Sequence, residues 1–192
     1  MKLSDLAYVP EHNLPAALTL YRVQRSTSRP GTVRVGALRL PPAGTLAGRF
    51  DLARVAVGYF GEAPETAVYE ALARREVTSL SVSLLTQRSL LALQTQRTLR
   101  LADLRPHAPS WPFLQSLRLH LTQQVADDAH KLGFEGVIYR SAQQYAHDCY
   151  AIFGPALRAL KLIGSVRLVN PAGGLHRCVT AALIGSQVPL VP

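Results

Sequence analysis

The chain has 192 residues, 48% of them hydrophobic and 17% charged, enough for one domain with a sizeable core and too apolar for a disordered chain. No run approaches the ~18 uninterrupted apolar residues of a membrane span, and the opening Met1-Lys-Leu-Ser-Asp-Leu-Ala7 has an acid where a signal peptide needs an apolar stretch, so a cytoplasmic protein is expected. The formal charge of +9 is carried almost wholly by arginine, with lysine only at Lys2, Lys131 and Lys161.

That charge suits nucleic acid, an anionic small molecule or an acidic protein equally. The arginines are dispersed along the chain, with no Lys/Arg tract and none of the aromatic interleaving of a single-strand binder. An arginine-rich genome would give the same count. Cys149 and Cys178 read as two buried free thiols, not as a disulfide framework.

Residues 1–18 form a lead-in broken by Pro10 and Pro15. Leu18 to Arg25 alternates and carries β-formers, which predicts a strand. Pro30-Gly31 marks a turn, Val33 to Leu40 a further strand, and Pro41 to Gly44 a loop. Val55 to Val57 reads as a buried strand and Gly58, Gly61 and Pro64 as the break after it, with Tyr59 at the strand end. Pro64 fits the first turn of a helix over about 65–75, where its missing N–H costs nothing. Glu65 suits that helix start through the dipole, and Ala67, Ala71 and Leu72 share a face. Strands are expected over Val77–Leu85 and Leu90–Leu101. After the proline-rich loop around Trp111, Leu114, Leu117, Leu121, Val125 and Ala129 recur at helical spacing. They predict a long helix over 113–132 that ends at Gly133. Gly136 to Ser141, Cys149 to Phe153 and Arg158 to Leu168 read as strands, and Leu175 to Leu183 as a short helix. Mixed strands with few helices indicate α+β with a mixed β-sheet and flanking helices. No repeat or low-complexity segment interrupts the chain.

Several chemistries are missing. There is no G-x-G-x-x-G and no P-loop, and no H-E-x-x-H, C-x-x-C or G-x-S-x-G. His176 and Cys178 lack further metal ligands. Cys149 beside His147 reads as a core thiol. What remains is arginine, tyrosine, glutamate and serine: Tyr21-Arg22, Gly48-Arg49-Phe50, Tyr59, Glu70 and Tyr139-Arg-Ser141. Taken singly, each has an ordinary structural role. Arg22 and Arg49 suit surface ion pairs, Tyr59 a half-buried strand, Glu70 a partner for Arg74 one turn on, and Ser141 a turn cap. Spacing does not show whether they converge.

In order and spacing, these motifs resemble the RES domain family. They are Tyr21-Arg22, Gly48-Arg49-Phe50, Tyr59, Glu65-Thr-Ala-Val-Tyr-Glu70, Gly133-Phe-Glu-Gly-Val-Ile-Tyr-Arg-Ser141 and Cys149-Tyr-Ala-Ile-Phe-Gly154. The resemblance runs over about residues 18–156 of one RES-type domain spanning 1–192, and leaves 157–192 as an extension of open role. It implies an ADP-ribosyltransferase-like fold. It implies a toxin of a bacterial toxin–antitoxin pair that causes growth arrest by cleaving the nicotinamide–ribose bond of NAD+, by hydrolysis or phosphorolysis. An ADP-ribosyltransferase toxin acting on protein is the alternative within the class. A non-catalytic basic module that binds nucleic acid or regulates is the alternative outside it.

Carried over by motif position, Arg22, Glu70 and Ser141 are the catalytic residues, and Arg22, Arg49, Tyr59 and Ser141 bind NAD+. Asp51 stands where the family usually has Asn. No metal and no cofactor are expected; NAD+ is the substrate and inorganic phosphate an optional co-substrate. The implied partner is an Xre-type helix-turn-helix antitoxin. It brings the only nucleic-acid contact, with a homodimer possible inside the complex. Ser81-Val-Ser83 is similar to the Ser-Thr-Ser of arginine-specific ADP-ribosyltransferases, but Glu70 precedes it, so these read as strand residues.

Overall fold

A computed structural model describes residues 9–116 and 118–192. Its frame is an eight-stranded mixed sheet. Eight strands build it: β1 (Glu11–Leu14), β2 (Thr19–Arg25), β5 (Val57–Gly61), β7 (Arg88–Thr95), β8 (Leu99–Asp103), β9 (Gly136–Arg140), β10 (Asp148–Phe153) and β11 (Leu160–Arg167). Between them lie the hairpin β3 (Val33–Val35) and β4 (Leu38–Leu40), and the short β6 (Leu80–Ser81), which pairs with β12 (Leu190–Val191). The helices are α1 (Pro64–Ala71), α2 (Val82–Thr86), α3 (Leu119–Lys131) and α4 (Arg177–Ser186). The sheet order is β1-β8-β9-β10-β5-β2-β7-β11. Among the described residues of this sheet only β8 and β9 run parallel, joined by the crossover that contains α3, and the separate β6–β12 pair is parallel too. This is the expected α+β mixed sheet.

One joint decides where the site lies. Strands β2 and β5 share a single pair, Tyr21↔Gly61, whereas β2 and β7 are paired over seven residues. The sheet therefore splits between β2 and β5. Where the backbone ladder stops, a side chain takes over: Arg22 Nη1 donates to the Tyr59 carbonyl at 2.9 Å.

Helix α3 buries Val125, Ala126 and Ala129 against β9 and β10, in a core with Phe50, Val137 and Phe153. Helices α1 and α4 share a second core with Val23 and Leu90. The hairpin packs Leu38 and Leu40 into a third, with Leu20, Phe60 and Leu93. Residues 157–192 thus supply the edge strand β11 and the helix α4 that backs α1.

Several expected boundaries move. Strand β5 runs on through Gly58 to Gly61, so Tyr59 is mid-strand. Gly61 is required by packing, since a Cβ there would stand 2.8 Å from the Ala67 backbone nitrogen. Helix α1 begins at Pro64 as expected, but stops at Ala71. The next two residues, Leu72 and Ala73, are both buried, and the chain turns to accommodate them.

The strand expected over Val77–Leu85 survives only as β6. Ser81 accepts from Leu84 N at 3.1 Å and caps α2, so local capping overrides β-propensity. Leu90–Leu101 is two strands, β7 and β8, with a break in which Gln96 N donates to Ala159 O. The long helix is interrupted. A 3₁₀ turn spans Pro112–Gln115, Ser116 is extended, and α3 starts at Leu119. The Leu117 expectation lies outside the described residues. Gly133 ends the helix as expected, with φ of 81°. The lead-in holds an unexpected strand, β1, and its first eight residues lie outside the described ones. Val33–Leu40 folds back on itself at Gly36 as a hairpin.

An ion-pair cluster ties the ends of β8, β9 and β10. Arg105 grips Asp103 through Nε (2.9 Å) and Nη2 (2.6 Å) and reaches Asp148 through Nη1 (2.7 Å). Arg140 holds the other Asp148 oxygen at 2.6 Å. Burial pushes the Asp103 carboxyl up, but the bonds from Arg105 outweigh it and hold the pKa below its ordinary 3.8. A carboxylate depressed in the folded state adds stability that is present above the unfolded pKa. That stability is lost as pH falls through the folded value. Urea midpoints followed by circular dichroism are expected to fall as pH drops below about 4. In Arg105→Gln that acid dependence should flatten.

Candidate active site

A cavity of about 620 Å³ opens at the split between β2 and β5, within the usual size range of small-molecule sites. Its walls include Arg22 from β2, Arg49 from the loop before β5, Tyr59 from β5, Glu70 from α1 and Tyr139 from β9. Four of the five site residues expected from the sequence therefore face one space. The fifth, Ser141, lies directly behind Glu70.

Glu70 sits at the last turn of α1, and its carboxylate is held from three sides. Ser141 Oγ donates to Oε1 at 2.6 Å, and the Ala142 backbone N–H donates to the same oxygen at 3.1 Å. Arg49 Nη2 donates to Oε2 at 2.8 Å. The Glu70 side chain keeps 20% of its surface exposed, and among the described residues Oε2 accepts one bond, from Arg49, leaving acceptor capacity toward the cavity. The Glu70–Arg74 pair considered from spacing does not form, because Arg74 turns to Glu76.

Ser141 is 4% exposed. Besides donating to Glu70, its hydroxyl accepts from Gln143 N and Gln144 N. It is both a turn cap and a clamp on the carboxylate. Gln115 Nε2 donates to the Ser141 carbonyl and closes the turn from the other side.

Arg49 has both forks occupied. Nη2 goes to Glu70 and Nη1 to the Leu114 carbonyl at 3.3 Å. Its guanidinium lies over the Tyr139 ring, 4.8 Å from the centroid, and Phe50 packs on the same ring at 4.6 Å. Burial pulls the Arg49 pKa down, but Tyr139 and Glu70 more than offset this, and the net shift is upward.

A ring of hydrogen bonds fixes the loop that carries Arg49. Asp51 accepts from Gly48 N through Oδ2 and from the Tyr59 hydroxyl through Oδ1, both at 2.8 Å. Phe50 N in turn donates to the Tyr59 hydroxyl at 2.9 Å. A Cβ at Gly48 would collide with that hydroxyl and with the carboxylate, so only glycine fits. Burial and then the Asp51 charge push the Tyr59 phenol well above its ordinary range. It is the neutral donor of this ring. Asp51 serves the loop itself.

Arg22 differs from Arg49. Its one side-chain hydrogen bond among the described residues goes to the Tyr59 carbonyl, and its buried Nε has no partner. It forms no ion pair among the described residues. Burial lowers its pKa to about 10, which still leaves a cation at neutral pH. A buried guanidinium in a cavity wall with no ion pair among the described residues is suited to an anion.

Tyr139 and Gln115 are among the lining residues that the sequence reading passed over, as are Arg75, Glu76 and Gln143. Tyr139 stands inside the quoted Ile-Tyr-Arg-Ser motif, so its signal was available. Gln115 gave none. Cys149 is buried, and burial pushes its thiol well up, as befits a core residue. Cys178 is likewise buried and free. Ser81 ends β6, as a strand residue, and caps α2, whereas Ser83 lies in α2 and bonds the Ser81 hydroxyl. Among the described residues, no group of His, Cys, Asp and Glu could hold a metal ion, and no helix is long and apolar enough to cross a membrane.

A mixed sheet split over a glutamate-bearing cavity makes this an α+β protein with one small-molecule-sized site. The RES domain model matches residues 19–169, and the chain belongs to the RES domain family. A solved structure with the same fold is the M. tuberculosis MbcT–MbcA toxin–antitoxin complex, one chain of which aligns with a TM-score of 0.60 at 18% identity. The alignment covers 81% of this chain and 86% of that one. No curated protein matches.

Proposed function

We propose that the chain is the toxin of a toxin–antitoxin pair and an enzyme that cleaves NAD+ between nicotinamide and ribose. The observation that carries this reading is the Glu70 carboxylate. It is oriented by Ser141, Ala142 and Arg49 and faces a cavity whose other wall holds the unpaired cation of Arg22. Family membership and the toxin–antitoxin complex among the structural relatives support the same reading.

The chemistry needs one acid. The C1′–N bond breaks with its electron pair leaving on nicotinamide, which departs neutral and requires no proton. The ribose is left with oxocarbenium character, as in glycoside hydrolysis. Glu70 accepts a hydrogen bond from a ribose hydroxyl through Oε2 and stabilises the positive charge that grows beside it. Arg22 takes the pyrophosphate by charge-assisted hydrogen bonds. Arg49 and Ser141 hold the carboxylate in place, and Tyr59 and Tyr139 give the sugar and pyridine a rigid wall. Water or phosphate then adds to C1′, and a water nucleophile releases its proton to solvent.

The partner is an Xre-type helix-turn-helix antitoxin that closes the cavity. Incubating the folded chain with NAD+, with and without phosphate, and following nicotinamide by chromatography tests the reading. Release is expected in both arms if water is the acceptor, and with phosphate alone if phosphorolysis dominates. No release in either arm overturns it. Ser141→Ala removes one charge-assisted bond to the acid and is expected to lower kcat by about tenfold. KM should hold nearly constant, because the hydroxyl orients Glu70 and does not bind substrate.

A further inference from the structure

The arginines that look dispersed in the sequence are gathered by strand register at the end of the sheet where β2 leaves it. Arg25 stands directly opposite Arg88 in the β2–β7 ladder, so both side chains lie on one face. Arg34 stands opposite Arg39 in the hairpin, and Arg39 Nη1 bonds the Arg25 carbonyl at 3.4 Å. Arg29 lies in the exposed loop between them, and its charge, with that of Arg25, adds to burial in lowering the Arg88 pKa.

Like charges placed opposite one another in a sheet are destabilising, yet none of these five forms an ion pair among the described residues. The paired carboxylates are engaged elsewhere: Glu11 with Arg100, Glu62 with His147, Glu70 with Arg49, Glu76 with Arg74, Asp103 with Arg105, Asp127 with Lys131, Glu135 with Arg97, and Asp148 with Arg105 and Arg140. Arg39 and Arg88 each keep a buried Nε without a partner. No aromatic ring stacks on any of the five among the described residues; the stacked arginines are Arg22, Arg49 and Arg100.

We infer that this arginine cluster is a binding surface for the phosphate backbone of duplex nucleic acid, separate from the cavity. Forked guanidiniums spread over a hairpin and a strand end offer charge-assisted contacts to phosphates. A single strand would call for stacking platforms, and a protein partner for aromatic or apolar anchors at its centre. The cluster supplies neither. Contacts to phosphates alone carry no base readout, so binding at this surface is expected to be independent of sequence.

Fluorescence anisotropy of the full chain on a labelled duplex of arbitrary sequence, with salt raised from about 50 to 200 mM, tests this. Five phosphate contacts predict a log–log slope near −4.5 and a loss of roughly 500-fold in affinity over that range. Arg29→Ser with Arg34→Ser removes two exposed contacts without touching the core, and is expected to make the slope shallower by about two. Arg158→Ser lies before the opposite end of β11 and should leave the slope unchanged. An unchanged slope in the double variant overturns the inference. So does tighter binding to a polyglutamate peptide than to the duplex, lost in the same double variant, which would assign the surface to an acidic protein.

Discussion

Glutamine in place of Glu70 is expected to cut nicotinamide release from NAD+ by about two to three orders of magnitude, the usual cost of removing a preorganised electrostatic stabiliser. The amide is nearly isosteric but neutral. It cannot balance charge growing on the ribose, and its NH2 would point a donor at either Ser141 and Ala142 N–H or the Arg49 guanidinium, all of which now donate to the carboxylate. The loss should fall on kcat, because the pyrophosphate contact assigned to Arg22 is made in ground and transition states alike. Near-UV circular dichroism of the variant should match the parent. Full activity in a folded Glu70→Gln protein would remove this residue from the chemistry.

Phe50→Ala carries the largest expected cost to stability, about 3–5 kcal/mol. Phe50 is fully buried and packs on Tyr139 in the core that α3 covers. Truncation empties a ring-sized volume between Tyr139 and the Arg49 loop, and the Asp51–Tyr59 ring on one side keeps the backbone from collapsing into it. Thermal melts should show Tm falling by roughly 10 °C or more. Phe50→Leu, which keeps most of the apolar volume, should recover over half of that. Activity should fall further in the alanine variant than the unfolded fraction accounts for, since Arg49 is the neighbouring residue and loses the packing beneath it.

How far the sequence led depends on whether a feature is local. Pro64 and Glu65 announce α1, and Gly133 stops α3, because each acts through its own turn of backbone. The strands with apolar runs, such as Cys149–Phe153, are legible for the same reason. Where a tertiary or capping contact intervenes, reading by pattern fails. Ser81 converts a β-branched stretch into α2, and Ser116 splits one helical repeat into a 3₁₀ turn and a helix. The four-residue β1 exists only because β8 offers it an edge.

The site was legible only as a set of motif positions. Family order named Arg22, Arg49, Tyr59, Glu70 and Ser141 and assigned each to catalysis or NAD+ binding, with no sign of the bonds they make to one another. The folded chain turns Ser141 inward behind the acid, occupies both forks of Arg49, and spends the Tyr59 hydroxyl on Asp51. The arginine cluster is the opposite case. Arg25 and Arg88 are 63 positions apart in sequence and become neighbours solely through ladder register, which no inspection of spacing reveals.

The lone rung between β2 and β5 has a mechanical meaning. Two plates that share one backbone pair and one side-chain bond can rock, Arg22 riding on β2 while Ser141 and Arg49, which hold the Glu70 carboxylate, ride with the other plate. A molecule gripped by both would act as a further fastening, so that filling the cavity and stiffening the sheet become a single event. A protein that inhibited by holding the plates apart would need to touch neither Arg22 nor Glu70.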